Sequence, residues 1–161
     1  MSTTEAPALH TFYAAVPASV STVRLELIEL AEQAGASPEQ VENIALAASE
    51  AVTNVVQHAY SHPGGDIEVF AGITGSELFV FVADRGEGFR EDHRSEGLGW
   101  GLALVRTSCD ELTVADRSDG GVELRMRFQI GAAGTDGRAD QLRGSVASAS
   151  RPAAPTFSTT T

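Results

Sequence analysis

The sequence contains no lysine: its 11 basic side chains are all arginines, set against 22 acidic residues for a formal net charge of -11. Without lysine there is no Walker A phosphate loop, which needs that side chain to reach the terminal phosphates, so any nucleotide must be held another way. The acidic balance, with the few arginines scattered among Asp and Glu, also argues against nucleic acid, because phosphate contacts require clustered positive charge. Cysteine is nearly absent too. Cys109 stands alone, which excludes an intramolecular disulfide and a cysteine zinc cluster and suits a small, partly buried helical residue. No stretch approaches the roughly 20 apolar residues of a membrane span, and "MSTTEAPALH" is not a basic segment followed by an apolar run. A cytoplasmic, soluble protein without membrane contact is the expectation.

What is present suffices for one domain with a proper core: 161 residues, 42% of them hydrophobic. "LHTFYAAV", residues 9–16, can form a short first strand. From Ser19 to Ala34, Val20, Val23, Leu27, Leu30, Ala31 and Ala34 recur at steps of three and four, the face of an amphipathic helix that Gly35 ends. Ser37, Pro38 and Gln40 then give the N-cap, first-turn proline and capping box of a second helix. Its apolar arc runs through Val41, Ile44, Ala45, Ala48, Val52, Val55 and Val56, while Glu50 and Asn54 point roughly the opposite way.

After "HPGGD", Ile67, Val69, Ala71 and Ile73 alternate as a strand, and a "TGS" turn leads into "ELFVFVA", whose continuous apolar character predicts a central strand covered on both faces. Residues 84–101 are glycine-rich and charged, too polar for core, and "LALVRTS" reads as a short third helix. "ELTVADR" and "GVELRMRFQI" close the domain as a hairpin across "SDGG". The predicted fold class is α+β: a two-layer sandwich of a mixed, mainly antiparallel sheet covered on one face by about three helices. Residues 1–8 read as a flexible start and 131–161, rich in Gly, Ala, Ser, Thr and Pro without apolar period, as a disordered tail.

Three motifs can carry chemistry. Glu50 and Asn54, one helical turn apart, suit metal-assisted phosphoryl transfer, the amide oxygen ligating a hard cation and the carboxylate activating a nucleophile; a solvated helix face is the plainer alternative. Asp84 follows the buried strand in "DRGEG" and can accept from an exocyclic amine such as that of adenine, with Gly86 and Gly88 allowing close backbone approach; a strand-ending turn is the alternative. Gly97, Gly99 and Gly101, ahead of the third helix, offer backbone N–H groups to phosphates. Beside them, His93 and Arg94 could touch phosphate or simply be solvated, while His58, His62 and Arg106 read as helix-end or surface residues.

In this order the motifs resemble the boxes of the GHKL superfamily of Bergerat-fold ATP-binding domains over about residues 9–130. Glu50 and Asn54 in "SEAVTN" match the N box, Asp84, Gly86 and Gly88 the G1 box, and Gly97 to Leu102 the G2 box. The resemblance implies that Asn54 holds Mg, Asp84 reads adenine, the glycine clusters flank a lid over the phosphates of ATP, and Glu50 is the general base. The lack of a phospho-acceptor helical hairpin and the compact lid "FREDHRSE" make the chain look most like the anti-sigma-factor serine kinases, the group named for RsbW and SpoIIAB. That likeness implies a homodimer, through the first strand and helix, that binds a sigma factor and phosphorylates a serine of a STAS-type anti-anti-sigma partner. The alternative is a catalytically weak nucleotide-binding module that acts by sequestering either partner.

Overall fold

Five apolar-alternating segments pair into one sheet in the computed structural model, which describes residues 9–88 and 98–131. In chain order the elements are β1 (Leu9–Ala14), α1 (Pro17–Gln33), α2 (Pro38–Asn54), a π-helical turn (Val55–Ala59), β2 (Asp66–Thr74), β3 (Glu77–Asp84), α3 (Leu98–Ser108), β4 (Glu111–Asp116) and β5 (Val122–Gln129). The sheet order is β1-β2-β3-β5-β4 and each of the four pairings is antiparallel, the limiting case of the mainly antiparallel sheet expected. One face of each strand feeds a single core: Ile67, Val69 and Ala71 of β2, Leu78, Val80 and Val82 of β3, and Leu124, Met126 and Phe128 of β5 lie buried against Val23 and Leu27 of α1, Ile44, Ala48 and Val52 of α2 and Val105 of α3. The architecture is therefore the predicted two-layer α+β sandwich.

Local signals set the helix ends. Gly35, at φ +82°, closes α1 in a Schellman motif, with Ala36 N–H donating to Ala31 C=O and Gly35 N–H to Glu32 C=O, each at 3.0 Å. Ser37 starts α2 with the full capping box: its Oγ accepts from Gln40 N–H at 3.3 Å and its own N–H donates to Gln40 Oε1 at 2.8 Å. Tyr13 ties β1 to α1 by donating its hydroxyl to the Glu26 carboxylate. On α2 the core also takes Ala47 and Ala51, outside the expected arc, because the helix is wedged between α1 and α3.

Three expectations are corrected. β3 is the middle strand, but among the described residues only its helix side is covered: burial alternates, leaving Phe79 and Phe81 half-exposed on the other face with Phe70, which is 37% exposed, and Phe12, which is 55% exposed. The run "ELFVFVA" looked doubly covered because two phenylalanines occupy outward positions. The second helix does not run regularly to its end, since one turn after Asn54 widens to a π-turn. Finally, α3 begins at Leu98, so Gly99 and Gly101 lie within its first turn instead of ahead of it. The expectations for residues 1–8, for the tail beyond Gly131 and for Gly97, His93 and Arg94 in the lid lie outside the described residues. Among the described residues no helix is long and apolar enough to cross a membrane.

Candidate functional site

The polar pair of α2 faces another helix. A Cβ built on Gly101 of α3 would sit 3.0 Å from Asn54 Oδ1 and 3.2 Å from Glu50 Oε2, so α3 approaches this pair with backbone alone. A Cβ there would press on both side chains, which would have to give by a few tenths of an ångström. Asn54 Nδ2 is buried and has no hydrogen-bond partner, a condition that costs about 1–3 kcal/mol in an apolar interior. An orphaned amide beside a carboxylate, under the first turn of a helix whose own leading N–H groups need acceptors, is a place prepared for an anionic oxygen ligand.

Asp84 closes the second side. It falls in register with Leu78, Val80 and Val82, so its carboxylate points from the end of β3 toward the helix layer, and it is only 5% exposed. Its Oδ1 accepts from Gly86 N–H at 2.8 Å and from Val122 N–H at 3.4 Å. Burial pushes its pKa above the ordinary carboxylate range, and the two N–H groups and Arg117 only partly oppose this. Two glycines make the seat. A Cβ on Gly86 would lie 2.0 Å from Ala59 C=O, and one on Gly121 would lie 2.1 Å from Asp84 C=O, both impossible contacts. Gly88 adopts φ +74°, the left-handed conformation that glycine takes without strain.

The structure thus brings Glu50, Asn54 and Gly101 together, and it places Asp84, Gly86 and Gly88 at the strand end that the π-turn touches. Leu102 is half-buried against the core, a packing position. His58 lies in the π-turn, Arg106 is exposed, and Cys109 is half-buried just past α3 with its thiol pKa raised by burial. Three contributors escaped the sequence reading. Gly121 and the Val122 N–H hold Asp84 from across the sheet, and the "SDGG" that carries Gly121 reads locally as nothing more than a hairpin turn. Tyr60 is the third: its hydroxyl meets Arg85 N–H at 3.0 Å.

The donor set fits a hard cation: an amide oxygen and a carboxylate one helical turn apart, both oxygen donors, with phosphate oxygens able to complete the shell. Among the described residues no cluster of three His, Cys, Asp or Glu side chains could hold a metal alone.

Comparisons with known proteins identify the family to which this two-layer fold belongs. Residues 13–128 match the family model of the histidine kinase-like ATPase domain. The chain belongs to that family. Among its relatives are the serine-protein kinases RsbW of Bacillus velezensis, 35% identical over 128 residues covering 70% of this chain and 79% of that protein, and of Oceanobacillus iheyensis, 31% identical over 144 residues covering 80% and 90%. Among solved structures, the RsbU and RsbW domains of Rv1364c from Mycobacterium tuberculosis superpose with a TM-score of 0.62 at 28% identity. That match covers 77% of this chain and 32% of the larger protein. Within the GHKL superfamily this histidine kinase-like ATPase domain is of the anti-sigma-factor serine-kinase type.

Proposed function

We infer that this histidine kinase-like ATPase domain is an ATP-dependent protein serine kinase that sequesters a sigma factor and phosphorylates a serine of a STAS-type anti-anti-sigma partner. The observation that carries the reading is the pair Glu50 and Asn54 facing the glycine-bearing turn of α3, with the Asn54 amide buried and unsatisfied. Relatives named serine-protein kinase support the reaction class. Asp84 accepts the exocyclic amine of adenine on its unshared carboxylate lone pairs, while Gly86 lets the turn after it pack directly on the Ala59 carbonyl. Asn54 holds Mg, which when bound neutralises charge on the phosphates. The first-turn N–H groups of α3, with Gly99 and Gly101, face the phosphates. Glu50 takes the proton of the acceptor serine as its oxygen bonds to the terminal phosphorus and the bond to the ADP leaving group breaks.

The acidic helix layer, with Glu26, Glu29 and Glu32 on α1 and Glu39 and Glu42 on α2, suits a basic partner surface such as a sigma factor presents, and those partners place the chain in the cytoplasm, without direct contact to nucleic acid. A second copy is proposed through the first strand and helix and the adjoining open sheet face, where the exposed aromatics of β1 and β2 lie.

The test is a transfer assay with ATP labelled in its terminal phosphate, Mg and a STAS protein. Glu50→Gln should lower transfer by about 10²–10⁴-fold, the usual range for a general base, with ADP binding unchanged. Retained transfer would remove Glu50 from that role. Asn54→Ala should abolish the Mg dependence of ATP binding. If the wild-type chain binds ATP tightly yet transfers nothing to any STAS serine, the sequestering module is the correct reading.

A further inference from the structure

Tyr60 does two jobs at the end of the β2–β3 ladder. The last paired residues there are Ile67 and Asp84; the next rung would join Asp66 and Arg85, and no direct pairing is made. The Tyr60 hydroxyl stands in the gap. It donates to Asp66 C=O at 2.6 Å and accepts from Arg85 N–H at 3.0 Å, so an O–H is inserted into what would otherwise be an N–H to C=O bond. Both capacities of the hydroxyl are used, and the two strands are bridged here through one oxygen instead of pairing directly. The ring is fixed as well: a Cβ on Gly65 would lie 2.3 Å from the Tyr60 ring atoms Cδ2 and Cε2, so only glycine lets the ring lie across the strand entry.

The consequence falls on the turn after Asp84. Three successive N–H groups are committed there: Arg85 to Tyr60 Oη, Gly86 to Asp84 Oδ1 and Glu87 to Ala59 C=O at 3.0 Å. Two of the three acceptors, Ala59 and Tyr60, are neighbours at the exit of the π-turn that follows Asn54. A π-turn carries one residue more than a regular turn, and here it delivers the Ala59 carbonyl and the Tyr60 ring to the same loop. The helix that bears the phosphate-side pair is thereby tied to the turn that aims the base-side carboxylate.

The geometry points to Tyr60 as a positioning residue for base recognition: its hydroxyl sets the splay of β2 and β3 and hence the aim of the Asp84 carboxylate at the exocyclic amine of a purine nucleotide. This rests on the reading that Asp84 meets adenine, and the test separates the two. Tyr60→Phe keeps the ring on Gly65 and deletes only the hydroxyl. Titration calorimetry of the full chain with ADP and with inosine diphosphate, whose base has a carbonyl in place of the amine, measures the preference that Asp84 confers; Asp84→Asn is run alongside.

The wild-type chain should prefer ADP, and Asp84→Asn should erase the preference. Tyr60→Phe should weaken ADP about three- to tenfold, the equivalent of one hydrogen bond, and leave inosine diphosphate nearly unchanged, so that the ratio of the two dissociation constants contracts. Hydrogen exchange should show the Arg85 amide losing protection. A merely structural hydroxyl would lower the melting temperature and weaken both nucleotides alike. An ADP preference kept in full by Tyr60→Phe overturns the positioning role while leaving Asp84 in place. A wild-type chain that binds both nucleotides equally overturns the adenine reading, and the role of Tyr60 with it.

Discussion

At the scale of single residues, the cost of a prepared site is visible before any ligand arrives. Asp84 is ionisable yet 5% exposed, and burial raises its pKa. A carboxyl whose folded pKa lies above its unfolded value binds its proton more tightly in the folded chain. Stability is therefore lost as pH rises from the unfolded carboxylate range through the folded value, and the penalty is complete above it. Asp84→Asn, which keeps the oxygen that accepts from Gly86 and Val122, should raise the melting temperature at neutral pH, with the gain shrinking as the pH falls toward the carboxylate range. The same variant should bind ATP more weakly. Thermal unfolding of both proteins across pH checks the first outcome, and an unchanged ADP affinity would take Asp84 out of the base site. The unsatisfied Asn54 amide is a second cost of the same kind.

At the scale of elements, helix starts and strand alternation were legible because they depend on neighbours in sequence. The capping box at Ser37 and the Schellman motif at Gly35 involve residues within five positions of one another. The π-turn was not legible. Its last carbonyl, that of Ala59, meets Glu87 N–H, a contact between segments far apart in the chain, and nothing in "VVQHA" announces it. Glycines divide the same way. The G1 motif pointed to Gly86, but the reason it is glycine is the Ala59 carbonyl 2.0 Å from where a Cβ would stand. Gly86→Ala should accordingly destabilise the chain by about 1–3 kcal/mol, the cost of overpacking against backbone that cannot swing aside. Chemical denaturation measures it, and a wild-type midpoint would show that the turn and the π-turn are not locked.

At the scale of the whole molecule, the two layers differ in character. The helix layer is acidic, whereas the open sheet face holds Arg117 paired with Glu68 at 3.1 Å and Asp119 at 3.2 Å, Arg127 paired with Glu77 at 2.6 Å and Glu111 at 3.0 Å, and Arg125 paired with Glu123. Beside these pairs the rings of Phe70 and Phe81 stack with centroids 5.5 Å apart, and His10 meets Phe70 at 5.9 Å. A face whose charges are largely paired, around an aromatic centre, is where an acidic chain can meet its own copy with least repulsion. Sedimentation should give a dimer for the wild-type chain and a monomer for Phe70→Glu, with ADP binding kept because Phe70 points away from the helix layer. A monomeric wild type would remove the proposed interface.

The sequence by itself determined the main helices and strands and their order, since helix periodicity, capping and strand alternation are short-range, and it displayed the three boxes as a pattern of residue types. It also determined what is missing, a lysine phosphate loop above all. The tertiary structure alone decided which polar faces meet. The side of α2 opposite its apolar arc proved to face the glycine-bearing turn of α3, the phenylalanines of β3 proved to lie on an open face, and Asp84 proved to be held by residues 38 positions downstream. The physical reason is that a hydrogen bond or an excluded Cβ between distant segments leaves no periodicity in the chain; it exists only once the sheet and helices have brought those backbones within a few ångströms.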